Sequence, residues 1–90
     1  MKFVLNKCFG GGSMSRAATE ILDRGDQYDF DNTDIDLIAL IEECGSEFCS
    51  GRLAKLAVVE IPDNATDWEF NDYDGIESIT YVVNGKIYHA

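Results

Sequence analysis

Ile79-Thr80-Tyr81-Val82-Val83-Asn84-Gly85-Lys86-Ile87-Tyr88 reads as two β-type runs joined by Asn-Gly. That dipeptide accepts the two positive φ values of a type I′ turn, so it predicts an antiparallel hairpin at the end of the chain. Upstream, Lys55-Leu56-Ala57-Val58-Val59-Glu60-Ile61, closed by Pro62-Asp63-Asn64, sets Ala57, Val59 and Ile61 against Leu56, Val58 and Glu60. Both faces are largely apolar, which predicts a strand central in its sheet. Between the two lie Trp68-Glu69-Phe70, a short alternating strand, and Asn71-Asp72-Tyr73-Asp74-Gly75, a turn.

Towards the N-terminus, Phe3, Val4 and Leu5 within Lys2 to Cys8 form another β-type run, ended by Gly10-Gly11-Gly12. Ser13 and Ser15 are capping residues ahead of a helix from Arg16 to Arg24, with Met14, Ala18, Ile21 and Leu22 on one face and Gly25 as its stop. Asp26 to Thr33 has no apolar period and reads as a surface loop. A second helix, capped from Asn32, Thr33 or Asp34 and running to about Cys44, buries Leu37, Ile38, Ile41 and Cys44 and stops at Gly45. Ser46 to Ser50 can add a turn of helix. The expected architecture is α+β: two helices packed on one face of a mostly antiparallel sheet of four to five strands, ending in a β-hairpin, as a single domain over residues 1–90.

Seventeen acidic residues against seven basic ones leave a net charge of −10 on a chain of 90 residues. Every carboxylate side chain lies between Glu20 and Glu77, whereas the first nineteen residues carry only Lys2, Lys7 and Arg16. A field of that sign repels nucleic-acid phosphates and anionic membranes and favours encounters with basic proteins. No apolar run approaches the length of a membrane span, and the apolar stretch after Met1 is too short for a signal peptide. The odd cysteine count, Cys8, Cys44 and Cys49, has no disulfide-framework spacing and fits a reducing compartment, so a cytoplasmic protein is expected.

Asn6-Lys7-Cys8-Phe9-Gly10-Gly11, with Asp34-Ile35-Asp36-Leu37-Ile38, Ser50-Gly51-Arg52-Leu53-Ala54-Lys55-Leu56, Val59-Glu60-Ile61-Pro62-Asp63 and Tyr73-Asp74-Gly75-Ile76-Glu77, resembles small phage and prophage proteins of Gram-positive hosts that open with an Asn-Lys-Cys-Tyr/Phe-Gly-Gly motif. The blocks fall in the same order and span most of the chain. Gly12 departs from that pattern where an aromatic is usual, as does Ile35 where proline is frequent. The resemblance implies a phage context and carries no chemistry or site residues across.

Two binding features stand out. Lys7, Gly10, Gly11, Gly12 and Ser13 place a glycine loop between a strand and a helix start, where free amides can hold a phosphate, although the spacing is neither a Walker A motif nor a dinucleotide fingerprint. The second is the acidic array: Asp26, Tyr28, Asp29, Asp31, Asp34 and Asp36 on the loop and helix start, with further carboxylates from Glu60 to Glu77. Tyr28, Phe30, Trp68 and Tyr73 are interleaved with it as candidate anchors, Tyr28 expected at the surface and Trp68 in the core. Calcium-loop spacing fails for any start in the array, and the cysteines and His89 lack paired zinc spacings. No cofactor, metal or catalytic constellation is implied. The expected function is that of a binder and not an enzyme: an inhibitor that occupies the nucleic-acid-binding surface of a basic host protein, such as an RNA-guided nuclease of a CRISPR system. The alternative is capture of a phosphorylated ligand or signalling nucleotide at the glycine turn.

Overall fold

β1 (Lys2–Asn6) and β2 (Leu56–Glu60) form a two-stranded ribbon at the centre of the molecule, in a computed structural model that describes residues 1–90. They pair antiparallel, with Phe3 opposite Val59 and Val4 opposite Val58. Alternate residues enter different cores. Val4 and Leu56 meet Met14, Ala18, Leu37 and Ile41 on one side, while Phe3 and Leu5 meet Ile61 and Ile79 on the other. The run Phe3-Val4-Leu5 is apolar throughout because both of its faces are covered.

On the first side lie α1 (Arg16–Ile21), α2 (Ile35–Cys44) and α3 (Ser46–Cys49). The Ser15 hydroxyl caps α1 by accepting the Ala18 amide at 3.0 Å. This helix ends earlier than its apolar pattern suggests: Leu22 caps it and Asp23, at φ 54°, turns the chain before Gly25 is reached. Aspartate tolerates that left-handed conformation better than most side chains. Ile21, expected on the buried face, is exposed for the same reason. In α2 the buried stripe is Leu37, Ile38, Leu40 and Ile41. Cys44 is exposed instead of buried, since the helix ends there and Gly45 at φ 93° redirects the chain into α3.

On the other side β3 (Asp67–Tyr73), β4 (Ile76–Val83) and β5 (Lys86–His89) form an antiparallel sheet in the order β3-β4-β5. Asn84 and Gly85 take φ values of 52° and 77° between Val83 and its partner Lys86. Asp74 and Gly75 take 51° and 91° in a second turn of the same kind, between Tyr73 and Ile76. The turn expected over 71–75 therefore shrinks to two residues, and β3 runs on through Asn71 to Tyr73. Phe3 meets this sheet directly, packing edge-on against Phe70 with centroids 5.2 Å apart and against Trp68 at 6.2 Å. Trp68 sits at the margin of that contact and not in the core, and it stays 40% exposed.

The class is α+β as expected, but the layering differs. Five strands are divided between two antiparallel sheets, and three helices cover only the two-stranded ribbon. β2 was expected to be central because both its faces are apolar. Those faces are covered by a helical layer and by a second sheet, not by strands paired along both edges. Periodicity reports which faces are covered and is silent about which strands are neighbours. No helix is long and apolar enough to cross a membrane.

Candidate functional site

The glycine segment, the acidic loop and the β3–β4 turn converge on Asn6, which is buried. Its Nδ2 donates to the carbonyls of Cys8 (2.9 Å) and Gly75 (2.7 Å), and its Oδ1 accepts the Lys55 amide at 2.9 Å. Glu77 on β4 completes the knot, with Oε1 accepting the Asn6 amide at 2.7 Å and Oε2 accepting Asn32 Nδ2 at 3.3 Å. An open cleft of about 250 Å³ lies beside it, lined by Tyr28, Asp31, Asp72 and Glu77 among others.

The glycine segment serves as a packing seam. The Gly10 amide donates to the Asp74 carbonyl at 3.1 Å, and a Cβ at Gly75 would stand 2.0 Å from the Gly10 oxygen. A Cβ at Gly12 would press on the Asn6 side chain at 3.1 Å, and one at Gly11 would meet the Tyr28 hydroxyl at 2.9 Å. Ser13 is buried and its carbonyl accepts the Gly51 amide. The next two amides, of Met14 and Ser15, donate to Gln27 and Cys49. Lys7 Nζ donates to the Glu77 carbonyl at 3.0 Å. Main-chain carbonyls thus take the donors of Lys7, Gly10, Met14 and Ser15, the amides of Gly11, Gly12 and Ser13 have no partner within the chain, and three carboxylates line the adjoining cleft, a field that opposes an incoming phosphate.

The acidic loop is likewise engaged with its own chain. Asp26 Oδ1 accepts the Tyr28 amide (2.7 Å), Asp29 Oδ2 the Gly25 amide (3.0 Å), and Asp31 Oδ1 both the amide and the hydroxyl of Thr33 (2.9 and 2.8 Å). Asp34 caps α2 by accepting the Leu37 amide at 3.0 Å and is gripped by Arg24, whose two terminal nitrogens reach its two oxygens at 2.5 and 3.0 Å. Burial on its own would push the Asp34 carboxyl up, but the hydrogen bonds from Arg24 and Leu37 outweigh it and hold the group below its ordinary value of 3.8. The same hydrogen bond holds the Arg24 guanidinium above its usual range. Asp36 lies 3.8 Å from Arg24 and is otherwise exposed, as is Tyr28.

No protein-family model, curated protein or solved structure matches the chain.

Across the whole surface, only Asp34, Asp36, Glu42 and Asp63 of the 17 carboxylates lie within 4.0 Å of a cation. Glu42 pairs with Lys2, whose pKa its hydrogen bond raises, and the N-terminal ammonium holds Asp63 below the usual carboxylate value. Asp67 and Glu69 on β3 are exposed, without a hydrogen bond to the carboxylate or a cation in reach. Glu69 lies opposite Thr80, whose hydroxyl bridges Asn71 and His89 along the same outward face of the sheet. No group of three or more His, Cys, Asp or Glu side chains is placed to hold a metal ion. All three cysteines are free, and burial pushes the Cys49 thiol up, away from reactivity.

The sequence did not single out Arg24, and it gave Asp67, Glu69 and Glu77 only as part of the carboxylates from Glu60 to Glu77. Arg24 stands ten positions before Asp34, a spacing that no helix or strand rule pairs. Asp67 and Glu69 did leave a signal, since carboxylates alternating with Trp68 and Phe70 mark an acidic face backed by an apolar one.

Proposed function

We propose that this protein is an acidic interaction module that inhibits a basic, nucleic-acid-binding host protein by occupying the surface on which the nucleic acid would lie. One observation carries the reading: most of its carboxylates are exposed and have no cation of their own within 4.0 Å, so the field of a −10 chain is left for a partner to neutralise. Fixed carboxylates on a packed scaffold replace phosphates without the ordering cost of a flexible tail. The resemblance to phage proteins motivates a host defence enzyme as the target, with an RNA-guided nuclease as the leading candidate because it must carry a long basic channel. Phosphate capture at the glycine turn, where the amides of Gly11, Gly12 and Ser13 are open, is disfavoured by the three carboxylates that line the adjoining cleft.

The test is a competition experiment. The purified chain is titrated into purified RNA-guided nucleases of Gram-positive hosts, and cleavage and nucleic-acid binding are followed from low to high salt. The expected result is displacement of nucleic acid, with inhibition weakening steeply as salt rises. Inhibition that is insensitive to salt, or a complex that holds chain and nucleic acid together, overturns the mimicry.

A further inference from the structure

The strand edges of this molecule are finished unequally. The outer edge of β1 is closed by Asn32 and Glu77: the Val4 amide donates to the Asn32 carbonyl at 2.9 Å, Asn32 Nδ2 returns a bond to the Val4 carbonyl, and the Asn6 amide meets Glu77. Beside β2, Ser46 and Ser50 hydroxyls engage the Leu56 carbonyl and amide. β5 is four residues long and opens with Lys86. β3 is seven residues long, exposed at every position, paired on one side only by β4, and free of proline and lysine. Those last two residues are what commonly blunts an open edge.

Two rows of side chains flank this edge. Asp67 and Glu69 stand on the outward face, opposite Val82 and Thr80, with no cation in reach. Trp68 and Phe70 stand on the inward face, where Phe3 covers part of each ring and leaves 40% and 37% exposed. The apolar shelf and the acidic row therefore both extend to the place an added strand would fill.

The geometry points to the β3 edge as the docking site for a basic extended segment of a partner protein, added as a fourth strand with lysine or arginine beside Asp67 and Glu69 and apolar residues beside Trp68 and Phe70. This deepens the proposed function and rests on it, naming the surface that meets the basic partner. Main-chain hydrogen bonds supply affinity in such additions, and alternating side chains supply specificity. Charge selects the occupant. A second copy would bring another −10 chain and the same acidic row against this edge, and like charges across strands are repulsive.

The probe is a short peptide alternating lysine with valine and threonine, titrated into the full chain and read by amide NMR and hydrogen exchange. Slowed exchange and shift changes confined to Asp67–Tyr73 are expected. D67K/E69K should weaken binding by about tenfold or more, while Glu43→Lys, on the exposed face of α2, leaves it within about twofold. A peptide of the same composition with alternate amides N-methylated keeps every charge and loses one hydrogen-bonding edge, so it should bind about tenfold more weakly without any change to the protein. Equal binding of the methylated peptide, or protection centred on residues 26–36, overturns the β3 site while leaving the acidic-binder reading intact. Failure of the chain to displace nucleic acid from any basic nuclease, with β3 still protected by the peptide, overturns that reading and leaves the edge standing.

Discussion

The loop from Asp26 to Asp36 and the strand from Asp67 to Tyr73 are equally acidic to the eye, yet they stand in opposite chemical conditions. In the loop Asp26, Asp29, Asp31 and Asp34 all accept hydrogen bonds from the chain's own amides, and Arg24 neutralises one end. On β3, Asp67 and Glu69 accept none and face no cation, and only Asp72, at the turn end of the strand, accepts an amide, that of Gly75 at 2.9 Å. A carboxylate held by an amide keeps its charge and its second oxygen but is fixed in direction. A free one turns to meet a partner. Charge density in a sequence therefore measures how many carboxylates exist, and geometry decides how each is held.

The comparison breaks most visibly at Asp34. Asp34→Ala removes the cap of α2 and strands the Arg24 guanidinium, and it should lower stability in urea by about 3 kcal/mol. Iodoacetamide should then label Cys49, which is buried beneath the helices in the intact protein. For the same reason the combined change of Asp29, Asp31, Asp34 and Asp36 to Asn is a poor probe of binding, because it loosens the loop before it removes a contact.

Glu77 sharpens the contrast by lying on the strand paired with β3 while behaving like the loop. Glu77→Ala leaves the Asn6 amide without its acceptor, while Asn32 Nδ2 keeps the Val4 carbonyl, and it should cost about 2 kcal/mol in the same urea titration. A loss no larger than that of Glu69→Gln would show that the knot around Asn6 holds without it.

Acid should test the loop next. The folded protein holds the Asp34 pKa below 3.8, so folding favours its ionised form. That stabilisation is complete above the ordinary aspartate value and is lost as the pH falls from there through the lower folded value. Asp34→Asn should flatten the acid limb of the stability curve, read by urea titrations at falling pH. The smallest effect belongs to β3 at neutral pH. Asp67→Asn with Glu69→Gln should change stability by no more than about 0.5 kcal/mol and leave Cys49 resistant to alkylation. A larger change would mean that these carboxylates have structural partners after all.

Several elements were legible before any coordinates. Asn84-Gly85 marks its turn because few dipeptides take two positive φ values readily, and Leu37, Ile38 and Ile41 mark the buried face of α2 by spacing alone. The second turn, Asp74-Gly75, carries the same local signal but lies inside a run of polar residues that reads as loop. For the candidate site, the sequence supplied the acidic residues and the glycine segment, but it ranked the loop above β3 and left open whether the glycines were a phosphate cradle or a structural turn.

By itself, then, the sequence determined the periodic and local features: the mixed class, the α2 stripe, the terminal turn and the excess of negative charge. These depend on neighbours within a few residues. The tertiary structure alone decided that five strands divide into two sheets, that Gly10 packs against Gly75, that Arg24 reaches Asp34, and that β3 keeps an open edge. Each of these joins groups far apart along the chain or depends on what does not pack beside a strand, and no local pattern encodes either.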